Sequence, residues 1–95
     1  MSNEGGLTGL FSFLSPEKKL FSSIRNRENK KVKNLLDKNP ELVQIKDGAG
    51  MTPLHHAVDV GNLPAVKLLI NKKADKDARN NEGETPHFIA VKRSY

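Results

Sequence analysis

The feature that most constrains this chain is a recurrence. Gly50, Thr52, Pro53, Ala57 and Val58 return 33 positions later as Gly83, Thr85, Pro86, Ala90 and Val91. A fixed shift of that size means that the chain folds as a stack of similar supersecondary pieces, none of which buries its apolar face alone. A chain of 95 residues holds fewer than three such pieces and cannot fill a second core. A large enclosed active-site cavity is therefore not expected, and a binding module is. With aromatics at 5% and no Trp, the core has to be a thin one of Leu, Ile, Val and Ala.

The residue types at this spacing have a local logic. Thr52 is a helix N-cap, and Pro53 stands at the first helical position, where a missing amide costs nothing. The helix so started runs from Thr52 to about Val60, is closed by Gly61, and is followed by Asn62 as the cap of a second helix over Leu63 to about Lys72. Leu63, Val66, Leu69 and Ile70 form the expected apolar stripe of that helix, with Lys67, Asn71 and Lys72 toward water and Pro64 in its first turn. Asp47, Gly48, Ala49 and Gly50 make a tight turn ahead of the Thr-Pro pair, matched by Asn80, Asn81, Glu82 and Gly83.

A weaker copy lies upstream. Ser15 caps, Pro16 starts a helix, and Leu20, Phe21 and Ile24 follow at helical spacing. Val32, Leu35 and Leu36 then repeat the stripe of Val66, Leu69 and Ile70 at a shift of 34, which places one extra residue in the loop at Asn39-Pro40, where proline stops the helix. The chain thus reads as all-α, a short solenoid of helix-turn-helix units joined by hairpin-like turns. Its parts are an apolar tract at 1–14, a degenerate N-terminal unit at 15–46, a full repeat at 47–79 and an incomplete one at 80–95.

Gly50-Met51-Thr52-Pro53-Leu54-His55-His56-Ala57, then Gly61-Asn62, Val66, Leu69-Ile70 and Ala74-Asp75, resemble the ankyrin repeat across one full unit. The resemblance extends more weakly upstream to Ser15 and partly downstream to Tyr95. It implies projecting turns, a concave face of first helices, and recognition of a protein partner across both. Carried over position by position, it puts partner contacts at Gly48, Ala49, Met51, Asp59, Val60 and Lys72 in the full unit and at Asn81, Glu82, Glu84, Lys92 and Arg93 in the last. Gly50, Thr52, Pro53, His55, Gly61, Gly83, Thr85 and Pro86 take structural roles, with His55 bonded to Thr52 and nearby backbone. The sequence also departs from the family's pattern. Lys73 stands where a left-handed glycine is usual, Lys76 replaces an apolar residue, and His87-Phe88 replaces Leu-His, which breaks the hydrogen-bond pattern expected of Thr85. The last unit stops where its second helix should begin, so Phe88, Ile89 and Val91 are expected to lack cover, with low stability or self-association as the result.

The net charge of +5 is concentrated. Lys18, Lys19, Arg25, Arg27, Lys30, Lys31, Lys33 and Lys38 face only Glu17, Glu28 and Asp37 in the segment 17–38, and the rest of the chain is balanced. This segment offers a second function class, electrostatic binding of an acidic protein or a nucleic acid. The lack of interleaved aromatics and the scarcity of Arg weigh against nucleic acid. A third class is a truncated remnant of a longer repeat protein.

No chemistry is expected. His55 and Asp59 lie four apart on one helix, but no Ser, Thr or Cys is placed as a nucleophile. His55 and His56 diverge on their helix and His87 belongs to another unit, so no metal or other cofactor is assigned. The absence of Cys fits a reducing compartment. No apolar run approaches a membrane span, and no Lys or Arg precedes the N-terminal tract as in a signal peptide, so a cytoplasmic setting, or an intracellular compartment of a host, is expected. Leu7, Leu10, Phe11 and Leu14 have i, i+3, i+4, i+7 spacing. Three roles are open to this tract: docking on the first unit as a cap, lying on a membrane interface, or remaining disordered. The missing bases favour docking over the interface.

Overall fold

In the computed structural model, residues 15–93 are described, and all their regular structure is helical. The apolar tract at 1–14 and the last two residues lie outside them. In chain order the elements are α1 (Pro16–Arg25), α2 (Asn29–Lys38), a 3-10 turn (Pro40–Gln44), α3 (Pro53–Asp59), α4 (Leu63–Asn71) and α5 (Pro86–Arg93). Two antiparallel pairs, α1/α2 and α3/α4, stack side by side, and α5 continues the row of first helices against α3.

α1, α3 and α4 start where the sequence says they should. Ser15 accepts from the Lys18 amide, Thr52 from the His55 amide and Asn62 from the Ala65 amide, each with proline at the head of the helix. Gly61 adopts φ 71° and closes α3, and Lys73 takes φ 73° after α4, the left-handed position where a glycine is usual. In the first unit Arg27 takes the same conformation, at φ 61°.

The core is the thin aliphatic layer expected: Leu20, Ile24, Val32, Leu36, Leu54, Ala57, Ala65 and Leu69 are buried, together with Leu42 and Val43 of the 3-10 turn. The backbone of the first unit repeats that of the second at a shift of 34: Arg27 answers to the left-handed Gly61, the bond from the Glu28 amide to Ser23 answers to that from Asn62 to Ala57, and α2 starts 34 residues before α4. Asp47 and Asn80 are 33 apart, so the extra residue lies in the stretch that opens at Asn39-Pro40. There the first unit forms the 3-10 turn, and Asn39, held at φ −135° ahead of proline, stands where Lys73 is left-handed one period later. The stripe expected on α4 is corrected. Leu69 is buried and Val66 half-buried, but Leu63 and Ile70 are exposed, and the inward face is completed by Ala65.

Of the apolar residues expected to lack cover in the last unit, Ile89 is buried while Phe88 and Val91 are 49% and 61% exposed. Ile89 escapes exposure because it follows Pro86 at i+3 on the side of α5 that faces α3.

Candidate partner-binding groove

The groove is built by two turns and the helices that follow them. Asp47 and Asn80 do the same work 33 residues apart. The Oδ1 of Asp47 accepts from the amides of Ala49 and Met51 at 2.9 Å, and that of Asn80 from the amides of Glu82 and Glu84 at 2.9 Å. Both turns are closed by backbone pairs, Asp47 with Met51 and Asn80 with Glu84. The two fingers are also joined to each other: the Asn81 amide donates to the Ala49 carbonyl at 3.0 Å, and its side-chain Nδ2 donates to the Gly48 carbonyl at 3.0 Å. This contact needs the glycine at 50, since a Cβ there would stand 2.4 Å from Asn81 Oδ1.

His55 ties the second finger to α3. It is fully buried. Its Nδ1 accepts from the Thr52 amide at 3.0 Å, which leaves Nε2–H to donate to the Glu84 carbonyl at 2.8 Å. His55 thus joins its own cap to the backbone of the next unit. In the third unit Phe88 holds the equivalent position. Thr85 still caps by accepting from the Phe88 amide, but no imidazole returns the bond.

Between the fingers and the first helices lies an open groove of about 510 Å3. It is lined by Ala49, Met51, Asn80, Asn81, Glu82 and Glu84 from the fingers and by Asp59, Ile89, Lys92 and Arg93 from α3 and α5. Eight of the eleven contact positions carried over from the resemblance are among these residues. Gly48 lies beside it, as an acceptor for Asn81 at the finger tip. Val60 and Lys72 do not line it. The Val60 carbonyl accepts from Arg27, and Lys72 pairs with Asp37 at 2.5 Å on the row of second helices.

Charge in the groove is ordered. Arg93 bonds Asp59 at 2.7 Å, and Arg25 approaches the other oxygen of Asp59 at 3.7 Å, so one carboxylate separates two guanidinium groups along the concave face. Lys92 meets Glu84 at 2.7 Å, and this ammonium, with the Asn80 amide, holds the Glu84 carboxyl below its usual range. Behind the groove, His56 donates from Nε2 to Asp47 at 2.7 Å, accepts at Nδ1 from Arg25 at 3.2 Å and packs on the Phe21 ring. Partial burial works against the Asp47 carboxylate, but bonds from His56 and from the Met51 and Ala49 amides outweigh it and keep its pKa lowered.

Asn80 and Ile89 are groove residues that sequence reasoning missed. Asn80 was legible as the counterpart of Asp47. Ile89 carried no such signal.

His55 bonds Thr52 and the Glu84 backbone, and Asp59 carries Arg25 and Arg93, so the two are not arranged as a base and its orienter. Among the described residues, no group of three His, Cys, Asp or Glu side chains gathers as metal ligands, and no helix is long and apolar enough to cross a membrane.

A family model described as ankyrin repeats (3 copies) matches residues 20–95. The chain belongs to the ankyrin repeat family. It is 42% identical over 76 residues to a transient receptor potential cation channel subfamily A member 1 homolog of Caenorhabditis elegans, covering 80% of this chain and 6% of that protein. It is 35% identical over 71 residues to the 2-5A-dependent ribonuclease of Mus musculus, covering 75% of this chain and 10% of that protein. The fold is also similar to a chain from the solved complex of the Bd0816 predatory endopeptidase of Bdellovibrio bacteriovorus with the immunity protein Bd3460, at TM-score 0.72 and 40% identity over 79% of this chain and 39% of that one. The chain therefore spans a tenth or less of these two curated relatives.

Proposed function

We propose that this chain recognises a protein partner through the finger-and-helix groove between Ala49 and Arg93 and carries no catalytic chemistry of its own. Ankyrin repeats are protein–protein interaction modules, and the likeness to a chain from a two-protein complex suits that reading. The observation that carries it is the convergence of eight contact positions, from two turns and two helices, on one open groove. Binding energy at such a surface is concentrated in a few central residues, and Met51 supplies the apolar centre here over the buried Ile89, with Glu82, Lys92 and Arg93 as the charged rim. The cysteine-free sequence suits an intracellular, reducing setting for that encounter. The test is affinity capture with the wild-type chain, Ala49→Glu, Glu82→Lys and, as a control on the outer face of α4, Lys67→Glu. Ala49 and Glu82 are exposed and make no side-chain bond that the fold needs. A partner retained by wild type and Lys67→Glu but lost by both groove variants is expected. A partner retained by all four places the site elsewhere.

Self-association through unit 80–95 is a second reading, favoured by one observation. Exposed Phe88 and Val91 lie on α5, and an almost wholly apolar groove of about 180 Å3, bordered by Leu54, Val66, Ile70 and Pro86, lies between it and the middle unit. Sedimentation of the wild type should then show a concentration-dependent dimer that Phe88→Ser with Val91→Ser abolishes. A monomer at all concentrations rejects it.

A further inference from the structure

The first unit presents different faces on its two sides. Phe21 and Arg25 of α1 and Asn29 and Asp37 of α2 look toward the middle unit, where they meet His56, Asp59, Asn62 and Lys72. On the opposite sides of the same two helices, Lys18, Lys19 and Ser22 of α1 and Lys31, Leu35 and Lys38 of α2 border an open groove of about 470 Å3. The spacings 18/22 and 31/35/38 each trace a single helical stripe. Leu35 is half-buried in this groove, and the four lysines contribute aliphatic stems beneath charged ends. Between the first and middle units the corresponding faces are covered, α3 lying on α1 and α4 on α2. Among the described residues nothing covers this one.

We propose that residues 7–14 of the same chain fill the groove, with Leu7, Leu10, Phe11 and Leu14 laid against Leu35 and the lysine stems. The point of entry fits. Ser15 caps α1 by accepting from the amide of Lys18, itself a residue of the groove, so the tract joins the fold at the groove's edge. Charge fits too. The groove also holds one carboxylate, Glu28, which Lys31 approaches at 3.6 Å, so its net charge is positive; the side chains of residues 1–14 include one carboxylate, Glu4, and no Lys or Arg, so they bring no further positive charge to Lys18, Lys19, Lys31 and Lys38. A second copy seated here by its own C-terminal apolar face would bring Lys76 and His87 to the same four lysines. The tract of the same chain is the occupant that the charges favour.

The absence of cysteine gives a direct test. Ser12→Cys in the full chain takes a single nitroxide label, and amide signals of Ser22, Lys31 and Leu35 are expected to lose intensity while those of α5 keep theirs. Adding Leu10→Ser and Phe11→Ser to the labelled chain should restore the lost signals without disturbing the pattern of the folded core. Undiminished signals at Ser22, Lys31 and Leu35 in the labelled chain overturn the proposal, as does loss that appears only when anionic phospholipid vesicles are added. Loss that persists in the Leu10→Ser, Phe11→Ser chain overturns apolar docking. A mixture of labelled, unenriched chain with unlabelled, isotope-enriched chain should show no loss, and loss in that mixture assigns the groove to a second copy.

Discussion

His55 and Phe88 occupy the same position in successive units, and the difference between them is one bond between neighbours. His55 bonds its own cap and the carbonyl of Glu84, 29 residues on, so removing it leaves a buried threonine and a carbonyl without their partner. His55→Ala should cost about 2 to 4 kcal/mol in a urea melt, from a buried cavity plus unpaired polar groups. Phe88→Ala, half-exposed, should cost well under that. Asp37 gives a prediction of another kind. Hydrogen bonds from Lys33 and Lys72 lower its pKa from 3.8 to about 2, so its carboxylate favours the folded state above the ordinary value, and that help fades as pH falls through the folded one. Asp47 and Glu84 are shifted in the same direction. Thermal melts should therefore show stability declining from about pH 4 downward, with Asp37→Asn less stable than wild type near neutrality and converging on it at about pH 2. At this scale the sequence was most legible in the caps, where the residue type states the bond. Asn29 was missed because its partner, the amide of Asn62, lies 33 residues away and nothing within the first unit's own stripe points to it.

Turns at equivalent positions are not equally tolerant. Gly50 and Gly83 share φ near 76°, but a side chain at 50 would strike Asn81, whereas nothing lies within 4 Å of the same site at 83. Gly83→Ala should cost only the conformational penalty, about 1 kcal/mol, and Gly50→Ala clearly more, because the finger-to-finger contact must shift as well. Lys73, at φ 73°, is the opposite case, and Lys73→Gly should raise stability by about 0.5 to 1 kcal/mol. Denaturant midpoints of the three variants measure all of this. Helix starts and stops came through from the sequence because single residues dictate them. The depth of burial along a stripe did not. Val32 and Leu36 are buried while their counterparts Val66 and Ile70 are half-buried and exposed, and similar letters at equivalent places carry no signal of that difference.

Across the whole molecule, the units are held together by polar joints as well as by the aliphatic layer. Asn29 and Asn62 exchange two amide bonds, at 3.0 and 2.9 Å, and Asn62 also donates to the Ile24 carbonyl at 3.0 Å while its oxygen caps α4. Asn62 is buried, so Asn62→Ala should remove about 2 to 3 kcal/mol and loosen the first unit from the second before the rest unfolds, seen as amide exchange in α1 and α2 outpacing that in α3. The solenoid itself was evident from the recurrence. The groove's composition was partly so, because position along the repeat indicates which side chains point outward but not which of them a neighbour neutralises, as Lys92 does for Glu84.

These joints also bear on how such a chain lengthens. If 47–79 were copied in tandem, the donor His55 would find the carbonyl of Met51 where Glu84's now stands, and any residue supplies a carbonyl. Asn62 would face Leu63 of the preceding copy, which heads α4 as Asn29 heads α2, and would lose the pair of amide bonds that it now shares with Asn29. Gly48 would take the place of Asn81, keeping the backbone bond to Ala49 and giving up only the side-chain one. The fingers and His55 of the middle unit are thus compatible with their own copies, whereas the joint at Asn62 is not, so duplication of this stretch of coding sequence would yield a longer protein whose new junction asks for one compensating change, an asparagine in place of Leu63.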